Sequence, residues 1–155
     1  MHYLIDGHNL IPKLGLQLDT LDDEDILVTR LLEFCRLRRV QVEVYFDGAP
    51  PGHPASHKSG AVTAHFVRQG SSADAAIEAR LSKLGRAARN WTVVSSDRRV
   101  QNAARAVHAQ VISSDEFASL MRDAQTARMT KVKQDTHISP EEVDEWLSLF
   151  KQRKR

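Results

Sequence analysis

The chain has 155 residues, enough to enclose one hydrophobic core and too few for two comfortable domains. Its composition is normal for a soluble globular protein, and Cys35, the single cysteine, excludes an intramolecular disulfide. The net charge is a mild +2, no apolar run is long enough to span a bilayer, and no signal peptide is expected ahead of "MHYLI", so a cytoplasmic location is the expectation.

In chain order, "YLI" at 3–5 reads as a first strand that stops at Asp6 and the turn residues Gly7, His8 and Asn9. "LDDEDILVTRLLEFCRLRR" reads as a helix with Ile26, Leu27, Leu31, Leu32, Phe34 and Cys35 on one broad face; Asp22, Asp23 and Glu24 suit its positive-dipole end. Cys35 is expected to be a buried free thiol. "VQVEVYF" at 40–46 is a second strand. "DGAPPGHPASHKSG" follows as a long irregular loop, its glycines and prolines arguing against a regular helix. "AVTAHFV" at 61–67, "WTVVS" at 91–95 and "AQVI" at 109–112 complete five strands, with "ADAAIEARLSKLGRAA" and "RRVQNAARAVHA" as helices between them. "SSDEFASLMRDAQ" opens with a capping-box spacing, Ser113 to Glu116.

Residues 1–125 therefore read as one α/β domain, a mostly parallel five-stranded sheet covered on both faces. Residues 126–138, "TARMTKVKQDTHI", have no clear period and read as a linker. A helix restarts at Ser139-Pro140, followed by a basic tail to 155. Val143, Trp146, Leu147 and Phe150 form an apolar stripe that needs a surface: its own domain, a second copy or a protein partner.

Four aspartates stand at successive strand-to-helix junctions: Asp6 after the first strand, Asp47 after the second, Asp74 in the first turn after the third, and Asp97 after the fourth. In a parallel sheet these junctions share one edge, where open α/β sheets hold their ligands. Each alone also reads as a helix cap or a turn. Together their charges repel, and a divalent cation relieves that repulsion; hard oxygen ligands suit Mg2+ or Mn2+. A cation so held can activate water and clamp a phosphoryl oxygen, as phosphodiester hydrolysis or a phosphatase requires. No cysteine/histidine set has zinc spacing, and no glycine-rich phosphate loop is present.

The ordered set "YLIDGHNLI", "VYFDG", "GSSADAAIEARL" and "VVSSDRRVQNAARAVHAQVIS" resembles the YacP-like branch of the NYN family, within the PIN-like nucleases. The resemblance covers about residues 1–125 and departs at His8, where the branch more often has tyrosine, and at His108-Ala109, where Gly-Ala is common. It implies a Rossmann-like three-layer α/β/α fold and a metal-dependent ribonuclease, endonucleolytic in mode. Asp6, Asn9, Asp47, Asp74 and Asp97 fall on the family's acidic and polar positions, and the resemblance implies that all four aspartates are catalytic residues and metal ligands, Asp47 as a ligand or by positioning the attacking water. The implied partner is RNA, with ribosome association as an option. The rival reading is a non-catalytic RNA- or ribosome-binding module on the same fold.

Supporting residues keep two readings each. Asn9 orients Asp6 or a bound water, or makes a local turn bond; Glu78 is an outer ligand, or pairs with a surface arginine. Ser95 and Ser96 bond backbone at the junction or a substrate phosphate, and Gln101 meets the site or solvent. Arg98 and Arg99 are expected to hold the RNA backbone. His53, His57 and Lys58 meet phosphates only if the long loop folds over the site, and His65 reads as structural.

Overall fold

Short β-rich runs alternate with helices along the chain, and the structure threads them into one sheet between two helical layers. The computed structural model describes residues 1–16 and 21–135. Strands β1 (His2–Asp6), β2 (Gln41–Ala49), β3 (Ser56–Ser59), β4 (Val62–Arg68), β5 (Trp91–Val94) and β6 (Gln110–Ile112) lie in the order β3-β4-β2-β1-β5-β6. Every neighbouring pair is parallel except β3 and β4. The described helices are α1 (Gly7–Leu10), α2 (Leu21–Arg38), α3 (Ala73–Leu84), α4 (Arg98–Ala106) and α5 (Ser114–Asp135). Two 3-10 segments, Ile11–Leu14 and Gly85–Asn90, lead out of α1 and into β5.

Alternation along β1 divides the core. Tyr3 and Ile5 join Val42, Val44, Phe46 and Val94 beneath α2 and α5, whereas Leu4 joins Tyr45 and Val93 beneath α3 and α4. Leu4, Ile5 and Val44 have no solvent exposure, each contributing about 1.5–3 kcal/mol of burial. Cover on both faces explains why β1 is apolar from Tyr3 to Ile5, up to Asp6.

The structure corrects the sequence reading in several places. The sheet has a sixth strand, β3, inside the segment whose glycines and prolines predict an irregular loop. Its residues, Ser-His-Lys-Ser, are mostly exposed, so the strand carries no apolar alternation to be read. It turns back on β4 through Gly60, whose φ of 56° is left-handed. On α2, Leu27, Leu31, Phe34 and Cys35 are buried but Ile26 is 39% exposed, because the buried stripe is narrower than the apolar one. Cys35 is the buried free thiol expected, its pKa pushed up to about 11 by burial.

Residues 126–135 are not linker but the end of α5. They lack glycine and proline, so nothing in them stops a helix. Arg128 also ties this stretch to Glu33 of α2. Ser113 caps α5 as anticipated, accepting a 3.1 Å bond from the Glu116 N–H. His108, the departure from a common glycine, has φ 62°, a conformation glycine takes without steric cost. The remainder of the expected linker and the amphipathic helix from Ser139 lie outside the described residues.

Candidate active site

Because β1, β2, β4 and β5 run in one direction, their carboxyl ends share an edge. Asp6 is the last residue of β1. Asp74 is the second residue of α3, whose cap is Ser72, accepting from the Ala75 N–H at 3.1 Å. Asp97 caps α4, accepting from the Arg99 N–H at 2.8 Å. Asp47 does not follow β2 but lies within its irregular end, where pairing with β4 shifts register between Phe46 and Ala49.

The four carboxylates sense one another. Asp6, 7% exposed, is pushed up to about 6, first by burial and then by the charges of Asp74 and Asp47. The facing backbone N–H of Asn9 and the His8 ring pull it back in part. Asp74 is also raised, by burial and then Asp97, against the lowering effect of Arg99. Burial without a full complement of partners makes this edge short of positive charge.

His8 enters the site as a clamp. Its Nδ1 lies 2.6 Å from Asp47 and its Nε2 lies 2.9 Å from Glu24 on α2. The bond to Glu24 is the largest cause raising its pKa, and the bond to Asp47 adds to it against the lowering effect of burial. Glu24 was legible only as a helix-dipole residue. Its place here depends on α2 packing back over the start of α1, which no local pattern encodes.

Gly7 is set by close packing. A Cβ there would fall 2.4 Å from Phe46 Cε1 and 2.9 Å from the Tyr45 carbonyl oxygen. Gly7→Ala is therefore expected to destabilise the protein by about 1–3 kcal/mol through overpacking, seen as a lowered urea midpoint. An unchanged midpoint would mean that the site wall yields freely.

The Asn9 side chain bonds residues distant in the chain rather than its own turn, while its backbone N–H faces Asp6. Its Oδ1 accepts from the Ser96 N–H at 2.9 Å and the Ser114 hydroxyl at 2.6 Å, clasping the ends of β1 and β5 to the start of α5. Ser96 Oγ accepts from the Ser114 N–H, Ser95 Oγ accepts from the Asp97 N–H, and Gln101 donates to the Ser95 carbonyl. These polar residues hold the junction that carries Asp97. No local pattern in the sequence marks Ser114 for this role.

Glu78 pairs with a surface arginine, accepting from both Nε and Nη2 of Arg99 on α4. Arg98 is exposed and has no ion pair among the described residues. Lys58 does not reach the acidic edge. Antiparallel β3 carries it to Thr63 near the start of β4, beside a hollow of about 260 Å³ lined by His2, Glu43, Arg80 and Trp91. His53 packs on Phe66, and His57 is exposed on β3. His65 is structural as read, bonded to Glu43 at 3.1 Å and stacked on Tyr45.

Among the described residues, no three His, Cys, Asp or Glu side chains are grouped closely enough to hold a metal ion directly. Asp47 is turned to His8 and Asp97 to the Arg99 N–H. The donors are nonetheless all carboxylate oxygens, and the buried Asp6 is only partly compensated by the Asn9 N–H and His8. This set fits a hard cation that keeps much of its water shell, as Mg2+ commonly does.

The chain is similar to two crystal structures of Rae1 (YacP) from Bacillus subtilis. One has 23% identity and a TM-score of 0.71, covering 100% of this chain and 95% of that one. The other, of a tryptophan-to-leucine variant, has 24% identity and a TM-score of 0.71, covering 90% and 86%. At this identity the likeness establishes the fold. Among curated proteins no match to the chain is found. The model of the YacP-like NYN domain matches residues 3–154, and the chain belongs to that family of PIN-like nucleases.

Proposed function

We propose that the protein is a divalent-metal-dependent endoribonuclease whose reaction takes place at the Asp6/Asp47/Asp74/Asp97 edge. The observation that supports this reading is that, among four carboxylates at the carboxyl-end edge of the sheet in a NYN-family fold, burial and then the charges of neighbouring carboxylates raise the pKa values of Asp6 and Asp74, with Asp6 buried among them. A protein that only bound RNA would gain nothing from such charge facing phosphates. Asp6, Asp74 and Asp97 would hold Mg2+ or Mn2+ directly or through water, and Asp47 would hold it or orient the attacking water. The bound cation would supply charge against the developing phosphoryl oxyanion and lower the pKa of water.

The chain's own residues perform the remaining tasks. His8 fixes the rotamer of Asp47, and the Asn9–Ser96–Ser114 clasp fixes the base of Asp97. Arg98 and Arg99 occupy the first turn of α4, where positive charge opposes the helix dipole. Glu78 offsets this for Arg99, and a phosphate of the bound strand offsets it for Arg98. The substrate is RNA, free or on the ribosome, and the proposed setting is the cytoplasm. No described helix is long and apolar enough to cross a membrane.

The direct test is incubation of the full chain with end-labelled structured RNA and Mg2+ or Mn2+, beside a small phosphate ester. Internal cuts abolished by chelator are expected, with the ester untouched. RNA retained on the protein but left whole would favour the non-catalytic module, and hydrolysis of the ester alone would indicate a phosphatase.

A further inference from the structure

The two helical layers carry different charge. From α3 through α4, residues 73–106 hold seven basic residues against three acidic ones, Asp74, Glu78 and Asp97. In the opposite layer, α2 and α5 together hold seven basic residues and nine acidic ones. Two of the seven cations on the first layer are engaged, Arg80 by Glu43 and Arg99 by Glu78. Lys83, Arg86, Arg89, Arg98 and Arg105 are exposed and have no ion pair among the described residues.

Their placement is directional. Val100 and Ala104 bury one side of α4, which leaves Arg98, Asn102 and Arg105 on an exposed ridge at i, i+4 and i+7. That ridge starts beside Asp97 at the acidic edge and falls about 10 Å along the helix. It ends near the far edge, where Thr92 pairs with Gln110 and the Gly85–Asn90 segment enters β5. Arg86 and Arg89 lie on that segment, whose Ala88 is buried in the same cluster as Ala104. Among the described residues no aromatic platform accompanies the cations: Trp91 is 8% exposed, stacked on His2 and covered by Arg80.

We infer that the outer face of α4 and the Gly85–Asn90 segment is a track for the phosphate backbone of single-stranded RNA leaving the acidic edge, with Arg105, Arg89 and Arg86 as its distal contacts. The inference rests on the reading of this chain as an RNA-acting protein and extends it away from the reacting centre. Backbone contact without base stacking predicts binding that is salt-sensitive and tolerant of sequence.

The test uses the full chain, a fluorescent uridine oligomer of about 20 nucleotides, and chelator so that nothing is cut, with salt varied over about 50–200 mM. The variant Arg86→Gln/Arg89→Gln/Arg105→Gln removes three distal charges. A control, Arg30→Gln/Arg36→Gln/Arg122→Gln, removes three exposed charges from the opposite layer. The distal variant is expected to bind at least about 10-fold more weakly at low salt, with a log–log salt slope shallower by about 2. The control is expected to keep the slope and stay within about 2-fold of the parent chain. No RNA binding by the parent, an unchanged slope in the distal variant, or an equal loss in the control would overturn the track.

The same RNA, supplied with Mg2+, separates this inference from the functional proposal. Cutting by the parent with undiminished binding by the distal variant removes the track and keeps the nuclease. Binding lost in the distal variant, with no cutting by the parent, keeps the track and removes the nuclease.

Discussion

Asp97→Asn is expected to leave the protein folded and to slow metal-dependent RNA cleavage by at least ~100-fold, the scale of losing one electrostatic stabiliser. The substitution separates two jobs of one side chain. Asp97 caps α4 through the Arg99 N–H, and asparagine caps a helix about as well. It also contributes charge to the acidic edge, where it raises Asp74. Only the second job is lost, so circular dichroism and the thermal midpoint should hold while cleavage and metal affinity fall. Asp97→Ala would lose the cap as well, at a further cost of about 1 kcal/mol in stability. Parental cleavage rates in a nuclease-free preparation of the asparagine variant would remove Asp97 from the reaction.

Asp6→Asn should act on stability in the opposite sense. In the metal-free protein the Asp6 carboxyl is raised from 3.8 to about 6, chiefly by burial and then by Asp74 and Asp47. The native state therefore binds this proton more tightly than the unfolded chain does. Stability from this group is full below about pH 4 and is lost as pH rises through about 6. A shift of about two units corresponds to roughly 3 kcal/mol. Metal-free Asp6→Asn should thus be more stable than the parent by up to that amount at neutral pH, with the advantage closing near pH 4. Denaturant unfolding at several pH values measures it, and a constant difference across that range would contradict the assignment. Added Mg2+ or Mn2+ should stabilise the parent and do less for the variant, because a ligand of the native state shifts unfolding by mass action.

Much of the scaffold is local information. The uninterrupted apolar "YLI" ending in Asp6 announces a central strand covered on both faces, because nothing polar can be spared until the edge. Alternating strands and helices announce a parallel sheet, and parallel strands oblige the aspartates after them to share an edge. Ser113 with Glu116 announces the start of α5. All of these follow from periodicities and caps that span a few residues.

Other features needed the folded chain. Strand β3 has no apolar face, so it exists only because β4 offers an unpaired edge. Residues 126–135 read as aperiodic, yet α5 runs through them and Arg128 meets Glu33 from 95 positions away. The same holds at the site. Asn9 reaches Ser114 across 105 positions and Ser96 across 87, and His8 joins Glu24 to Asp47. Gly7 is required by Phe46 and the Tyr45 carbonyl on the neighbouring strand, not by its own turn. The sequence by itself determined which carboxylates stand at strand ends, since hydrophobic periodicity is written locally. Which groups orient, clamp and neutralise them was decided by tertiary packing, since those partners are distant in the chain and are brought together only when the sheet closes its two layers.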